Sequence, residues 1–471
     1  YVFWALGASV DVSIAPDQPL PQVYVDDPLI VEFVADGDIS CEVMTEFRNL
    51  VSGEVRTVSG ESLVLRKDVS YWKTYDSVVL ERGYYVGTVT LMCGDEQESH
   101  ALRFCRVDRP VDRSPVPLSI SRGPDWGHEA LAMRGIPVER VCLGGEEIQA
   151  DPGLVSAVAG GGRHVVVTLG SSFADPSGVG TVVDLAADAI RWQLEPQATV
   201  PVTVELARAL RTQGVNAPIT VVITGREDLD KLLRAGCGRY VTGMTLRGLD
   251  FSESNVAGIR ASAEKLGYER ISLGYESAAT AGGDACGLVR DSIDALISGG
   301  GEVHVDPRVI VDGGVLQPAY PYMVAMAHRL GSAVYIGRIE AGQDDRVEVF
   351  RTGGDWTVVY WTRGTPHRVE LATGDAAGLT GYDSFNNALE PEVTQEGRVA
   401  LWMDEGPRYL SGHGGTVIMA AARGAARREA AALVAAGELA EAFTPEIVDV
   451  VREYIKQAPE DYDRLDFLTQ I

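Results

Sequence analysis

The sequence predicts a multidomain α/β plus all-β protein: a (β/α)8 TIM barrel flanked by an N-terminal and a C-terminal β-sandwich, with a helical C-terminal extension. Its 471 residues exceed the usual size of a single hydrophobic core. Apolar and polar residues alternate with a period of two at both ends of the chain, whereas apolar runs and amphipathic helical patterns take turns in the middle. These changes of period predict the boundaries 1–110, 117–333, 334–412 and 413–471.

The first 110 residues predict an antiparallel β-sandwich. Segments such as "LIVEFVAD" and "YYVGTVTLMCG" alternate apolar and polar residues, and turn-forming residues separate them. Cys41, Cys93 and Cys105 all fall in such segments. If the protein is exported, we expect Cys41 to pair with Cys93 or Cys105; three buried thiols are the alternative. The proline-rich stretch "VDRPVDRSPVP" is predicted to be a linker.

The middle of the chain predicts a parallel sheet that is buried on both faces. Eight apolar runs are each followed by an amphipathic pattern, as in "HVVVTLG" and then "GTVVDLAADA". Eight such units in about 220 residues favour a closed barrel. A doubly wound open sheet is the competing interpretation, but "SISRGPDWG" after the first run is not the glycine-rich phosphate turn of that fold. The eighth strand is predicted at "PRVIVDG", residues 307–313.

After residue 333 the period-two pattern returns. Segments such as "DRVEVFRTG" and "WTVVYWTRG" predict a second β-domain that ends near Gly412. The alanine-rich stretch "AAALVAAGELAEAF" has an apolar stripe that an isolated helix would leave in water. We therefore expect residues 416–471 to dock, either on the barrel or on another chain through a protein partner or self-association.

Composition narrows the possible partners. A formal charge of −26 disfavours nucleic acid, because a phosphate-binding surface needs clustered Lys and Arg. No run of 18 or more apolar residues is present, so no membrane span is predicted. The chain starts at Tyr1, and the following "ALGA" suggests the remnant of a signal peptide, so we expect a secreted or cell-surface protein. Scattered histidines and the lack of a Cys-x-x-Cys spacing predict neither a metal site nor a cofactor.

Two acidic residues end predicted strands on opposite sides of the barrel. The active site of a (β/α)8 barrel lies at the carboxyl ends of its strands, and Glu195 and Glu276 end strands four and seven. Glycoside hydrolysis needs such a pair, one carboxyl group to protonate the leaving oxygen and one to attack the anomeric carbon or activate water. Pro196 stops strand four where Glu195 must project. The sequence predicts Glu195 as proton donor and Glu276 as nucleophile.

Further side chains near the strand ends are candidates for binding a substrate. They are Trp192, Tyr275, Arg122, Arg140 and Arg247. The two aromatic rings could stack on a sugar, but aromatic residues in barrel strands also form core. Arg140 could equally pair with Glu146 or Glu147. Either glutamate of the predicted pair, taken alone, could be a solvated loop residue.

Several stretches resemble the large clan of retaining glycoside hydrolases with (β/α)8 barrels. "WQLEP" (192–196) is similar to that clan's strand-four ending, whose Glu is the acid/base, and "ISLGYES" (271–277) to its strand-seven ending, whose Glu is the nucleophile. "LLRAGCGRYVTGMTLRGLDF" and "YMVAMAHRLG" resemble its run into strand six and its last barrel helix. The resemblance covers roughly residues 20–412 and implies a carbohydrate substrate. Leu194 stands where the clan has an Asn, and Arg247 and Gly248 where it often has a His and an aromatic residue.

Three functions are compatible with these residues. The first is retaining hydrolysis of a glycosidic bond in a glycan, and the second is a catalytically inactive barrel that is a structural or glycan-binding component of an extracellular assembly. The departures at Leu194 and Arg247 favour the second. The third, a barrel enzyme outside carbohydrate metabolism, lacks a phosphate site and a catalytic lysine. A carboxyl separation above about 10 Å, or a side chain between Glu195 and Glu276, would argue against hydrolysis.

Overall fold

The structure is a computed structural model that describes most of the chain. The described residues are 9–15, 22–75, 80–109, 116–121, 138–173, 175–197, 199–247, 253–268, 272–276, 284–297, 303–331, 333–374 and 378–425. The chain forms two compact units, Tyr1–Gly331 and Ser332–Ile471. None of the described helices is long and apolar enough to cross a membrane.

Two packed sheets open the first unit. Their strands are β1 Val10–Ala15, β2 Gln22–Tyr24, β3 Leu29–Ala35, β4 Ile39–Asn49, β5 Val55–Leu65, β6 Ser70–Tyr75, β7 Gly83–Cys93 and β8 Glu96–Val107. One sheet has the order β1-β3-β6 and the other β2-β8-β7-β4-β5. Alternate residues of each strand point into a shared core that includes Phe33, Phe47, Val89 and Phe104. The period-two pattern thus predicted these strands because only one face of each sheet is buried.

A disulfide crosses the five-stranded sheet. Cys41 in β4 bonds to Cys93 at the end of β7, with Cα atoms 4.3 Å apart. Because β4 and β7 are hydrogen-bonded neighbours, the two side chains lie side by side. Cys105 is buried in β8 as a free thiol, and burial raises its pKa well above the usual value. Of the two predicted pairings, the structure forms Cys41–Cys93.

Eight parallel strands close into a barrel after this sandwich. They are β9 Val116–Ser121, β10 Val138–Gly144, β11 His164–Leu169, β12 Arg191–Leu194, β13 Ile219–Ile223, β14 Gly243–Arg247, β15 Ser272–Glu276 and β16 Val303–Val305. Each pairs with the next, and β16 pairs with β9. The competing open sheet is therefore wrong, and the predicted barrel is confirmed.

The described barrel helices follow strands β10 to β16 as the amphipathic patterns predicted, and the helix predicted after the first strand at "HEALAMRG" (128–135) lies outside the described residues. Their bounds are α1 Gly145–Ala150, α2 Leu154–Gly160, α3 Val179–Leu185, α4 Val200–Thr212, α5 Arg226–Arg234, α6 Glu253–Lys265, α7 Ala285–Ile297 and α8 Ala319–Leu330. In α4 the buried residues Thr203, Leu206, Ala207 and Leu210 recur at the spacing of one helix face. Apolar stripes of this kind cover the outside of the barrel wall.

The eighth strand corrects the sequence prediction. It is β16, Val303–Val305, and not residues 307–313. Pro307 begins a 3-10 turn, and the apolar residues after it form only the short hairpin β17 Val311–Asp312 and β18 Val315–Leu316. Strand β16 has only three residues, with His304 at its centre, so its apolar pattern is too short to predict a strand from the sequence.

Helix α8 packs against both the barrel and the sandwich. Ten of its twelve residues are buried. The Tyr320 hydroxyl donates a hydrogen bond of 2.6 Å to Oε1 of Gln22 at the start of β2. Burial raises the pKa of Tyr320 well above the usual value, so this phenol remains a neutral donor.

The second unit contains two further sheets. Its strands are β19 Val334–Arg338, β20 Asp345–Thr352, β21 Asp355–Thr362, β22 His367–Leu371, β23 Thr380–Tyr382, β24 Ala388–Leu389, β25 Glu392–Val393, β26 Val399–Met403 and β27 Arg408–His413. The sheet orders are β19-β20-β21-β27-β23-β24 and β22-β26-β25. A helix over 416–425 adds Val417 and Ala421 to their shared core. The rest of the predicted helical extension lies outside the described residues.

Candidate active site at the mouth of the barrel

Three charged side chains meet at the carboxyl ends of the barrel strands. Glu195 directly follows β12, Arg247 is the last residue of β14, and Glu276 is the last residue of β15. Arg247 and Glu276 are opposite each other in the parallel pairing of β14 with β15. The structure therefore brings together both predicted catalytic residues and one predicted binding residue.

One nitrogen of Arg247 contacts both glutamates. Its Nη2 lies 2.6 Å from Oε2 of Glu195 and 2.7 Å from Oε2 of Glu276. The two carboxylate oxygens can therefore be no farther apart than about 5.3 Å, the two contacts combined. The side chains of Arg247, Glu195 and Glu276 are 35%, 25% and 19% exposed, so solvent reaches the group. A guanidinium thus occupies the space between the two carboxylates.

The glutamates in turn hold Arg247 in its charged form. Partial burial acts to lower the pKa of this guanidinium, but hydrogen bonds and charge from Glu276 and Glu195 outweigh it and raise the pKa above its usual value. With both glutamates ionised, the three side chains carry a net charge of minus one. The guanidinium offsets the repulsion that two nearby carboxylates would otherwise have.

Gln193 is a site residue that sequence reasoning missed. Its Nε2 donates to Oε1 of Glu195 at 3.3 Å, and its Oε1 accepts from the Thr245 hydroxyl at 3.4 Å. Only 4% of Gln193 is exposed. The spacing in "WQLEP" could have revealed Gln193, because a residue two positions before Glu195 points to the same side of the strand.

A buried histidine lies deeper in the barrel. His304 hydrogen-bonds Oγ of Ser119 at 3.0 Å through Nδ1 and Oγ of Ser121 at 2.8 Å through Nε2. Burial lowers its pKa to about 4, so the imidazole is neutral at pH 7. Burial likewise raises the pKa of the nearby Cys142 thiol to about 12. Among the described residues, no group of three or more His, Cys, Asp or Glu could hold a metal ion.

Two predicted substrate-binding residues lie on the other side of the barrel wall. The Tyr275 hydroxyl donates to Oδ2 of Asp291 in α7 at 2.9 Å, so the ring faces the helices. Trp192 is only 2% exposed and alternates with the inward-facing Gln193. This corrects the expectation of sugar stacking at these positions. Both rings are core, as the alternative interpretation held, because neighbouring residues of a strand point to opposite faces.

Of the two remaining arginine candidates, the structure describes Arg140 and places it away from the mouth. Arg140 is the third residue of β10, four residues before that strand ends at Gly144. Its backbone pairs with His164, the first residue of β11, so it lies deeper in the wall. Arg122 lies outside the described residues.

The fold and the mouth residues define a (β/α)8-barrel protein with an acidic pair at strands four and seven. Solved structures with a partly similar fold include a Bacteroides fragilis protein proposed to be an alpha-galactosidase, at 12% identity over 86% of this chain and 98% of that one, with a TM-score of 0.38. A Paenibacillus cycloisomaltooligosaccharide glucanotransferase is 9% identical over 86% and 100% of the chains, with a TM-score of 0.37. The Thermotoga maritima alpha-fucosidase is 10% identical over 61% and 78%, with a TM-score of 0.32. No protein-family model and no curated protein matches the sequence. Similarities this low transfer no activity.

Proposed function

We propose that this chain is a glycoside hydrolase-like barrel that binds a glycan at the barrel mouth without hydrolysing it. The observation that carries the proposal is the contact of one Arg247 nitrogen with both Glu195 and Glu276. In a glycosidase the scissile bond lies between the two carboxyl groups. Here a guanidinium occupies that space.

The charges at the mouth point the same way. A glycosidase keeps one carboxyl group protonated as the general acid, and repulsion from the second carboxylate helps to keep it so. Arg247 offsets that repulsion. The same three side chains present hydrogen-bond acceptors and donors to solvent at a partly exposed rim, which suits the hydroxyl groups of a sugar.

Binding and hydrolysis are tested on the same proteins. We expect saturation-transfer NMR to detect binding of at least one of gluco-, galacto-, manno- and xylo-oligosaccharides. Arg247→Met should lose the part of this binding that occurs at the barrel mouth, whereas Arg208→Met, which removes a surface arginine paired with Glu205, should lose none. If the wild type binds none of them, or if Arg247→Met binds equally well, the proposal is wrong.

Hydrolysis is measured with 4-methylumbelliferyl α- and β-hexosides. We expect the wild type to release no more fluorophore than Glu276→Gln, because the nucleophile position is blocked. Turnover by the wild type that Glu276→Gln abolishes would show that the barrel is an active glycosidase.

Retaining hydrolysis is the second candidate, and one distance favours it. The oxygens of Glu195 and Glu276 are at most about 5.3 Å apart, and retaining enzymes hold their carboxyl groups about 5–5.5 Å apart. In that case Arg247 must leave before the sugar enters, Glu195 protonates the leaving oxygen and Glu276 attacks. Glu195→Ala should then spare 2,4-dinitrophenyl glycosides, whose leaving group needs no proton, while Glu276→Gln inactivates on every substrate.

We also propose that the protein is secreted or displayed at the cell surface. The Cys41–Cys93 disulfide supports this, because disulfides persist in oxidising compartments. The intact mass of protein taken from its native source should rise by two hydrogens on reduction. An unchanged mass would contradict export.

Self-association through residues beyond 425 is tested by comparing the assembly size of the full chain with that of a chain ending at 425.

A further inference from the structure

A large aromatic side chain is exposed on the N-terminal sandwich, in a different part of the first unit from the barrel mouth. Trp72 in β6 is 62% exposed. Lys73 and Tyr75, one and three positions after it, are buried and point into the sandwich. Trp72 therefore stands on the outer face of the three-stranded sheet. An indole exposed to this extent loses much of the burial that usually stabilises this side chain.

The indole is held in one orientation. Its Nε1 donates to Oε1 of Glu32 on the neighbouring strand β3 at 3.0 Å. Hydrogen bonds from Ser70 and then from Trp72 lower the pKa of Glu32, so the carboxylate is ionised at neutral pH. Ser70, Trp72 and Glu32 thus form a small network that fixes the ring without covering it. A fixed ring loses less entropy when a ligand stacks on it.

The surroundings of the ring are mostly polar and acidic. The pairing of β1, β3 and β6 places the following side chains on this face, here named the Trp72 face: Asp11, Ser13, Ile30, Glu32, Val34, Ser70, Trp72 and Thr74. Lys73 is the only basic residue in these three strands, and it points inward. The described strands of this face therefore carry negative charge only, which repels acidic ligands.

The face combines one exposed aromatic ring with hydroxyl and carboxyl groups and only two partly buried aliphatic residues, Ile30 and Val34. This combination suits a sugar better than a protein. A stable protein interface buries about 800 Å² per partner around an apolar centre with several anchors, and this face offers one anchor. A pyranose has a C–H face that stacks on an indole, and its hydroxyl groups donate to carboxylates and hydroxyl oxygens at the edge. The acidic edge complements hydroxyl donors and disfavours uronates and sulfated sugars.

We propose that the Trp72 face is a second glycan-binding site, which stacks one pyranose ring of a chain without acidic groups. The site is separate from the barrel mouth and does not depend on the function proposed for it.

The test uses the full chain with Arg247→Met, which removes binding at the mouth. Microcrystalline cellulose, chitin, curdlan and insoluble mannan are the probes in a sedimentation assay. We expect at least one to retain the protein, and Trp72→Ala to weaken that retention about tenfold, the loss of one stacking contact. Glu32→Gln should preserve binding because the amide oxygen still accepts from the indole, whereas Glu32→Ala should weaken it.

Trp402→Ala is the matched control, because Trp402 is 52% exposed on the second unit. It should leave retention unchanged, and all variants should melt at the same temperature. No retention on any of the four probes, equal retention of Trp72→Ala, or preferred binding of polygalacturonate would overturn the proposal. If the single variant Arg247→Met loses all binding and the single variant Trp72→Ala loses none, the barrel mouth is the glycan site and the proposal for the Trp72 face is wrong.

Discussion

Arg247→Met removes the cation between Glu195 and Glu276 while keeping an unbranched side chain of similar length. The two carboxylate oxygens would then face each other at no more than about 5.3 Å. Their repulsion is about 3 kcal/mol at an effective dielectric constant of about 20. Because all three side chains are partly exposed, solvent and salt reduce this figure, and we expect a loss of about 1–2 kcal/mol in the free energy of unfolding.

Urea unfolding followed by circular dichroism measures this loss, and a double-mutant cycle assigns it. In the Arg247→Met background, Glu276→Gln removes the repulsion and should restore about 1 kcal/mol, whereas in the wild-type background it should destabilise. Arg208→Met, which breaks only the surface pair with Glu205, should cost less than about 0.5 kcal/mol. The reasoning is refuted if Arg247→Met costs no more than this control, or if Glu276→Gln has the same effect in both backgrounds.

Three further predictions concern groups away from the mouth. Trp192→Ala should cost about 3–5 kcal/mol of stability and leave glycan binding unchanged, because the ring is core; lost binding at unchanged stability would contradict its placement. Cys142 should resist alkylation in the native protein at pH 8 and react only in denaturant, since burial raises its pKa to about 12; mass spectrometry of labelled peptides reports this. A hydrogen bond to the Thr365 carbonyl, and then the contact with Asp345, raise the pKa of His367. The protonated imidazole therefore stabilises the fold fully below about pH 6.5, and this stabilisation is lost as the pH rises through the folded-state pKa. The fall in melting temperature from pH 6 to pH 8 should therefore be smaller in His367→Gln than in the wild type.

Hydrophobic period alone predicted most of the architecture. Seven barrel strands and the main sandwich strands follow their sequence patterns, because burial on one face or on both faces produces a distinct spacing of apolar residues. The exception is β16, in which the middle residue is a buried histidine. Its polar partners Ser119 and Ser121 come from β9, and no local pattern can show a contact between segments so far apart in sequence.

The orientation of the aromatic candidates was available in the sequence and was overlooked. Trp192 precedes Glu195 by three positions and Tyr275 precedes Glu276 by one, and odd separations in a strand mean opposite faces. The Arg247 contact is different. It depends on the register between β14 and β15 and on where β12 ends relative to both, and only the closed barrel determines these.

Helix α8 bears on where the first unit can be divided. A helix on the outside of a barrel normally buries one stripe and leaves the opposite side wet, yet α8 buries ten of twelve residues. The sandwich strands β7 and β8 also contact it. A barrel expressed without residues 22–107 would therefore expose an apolar helix face and leave Tyr320 without its Gln22 acceptor. Replacing the sandwich by another domain would therefore also require a new set of side chains on the surface of this helix.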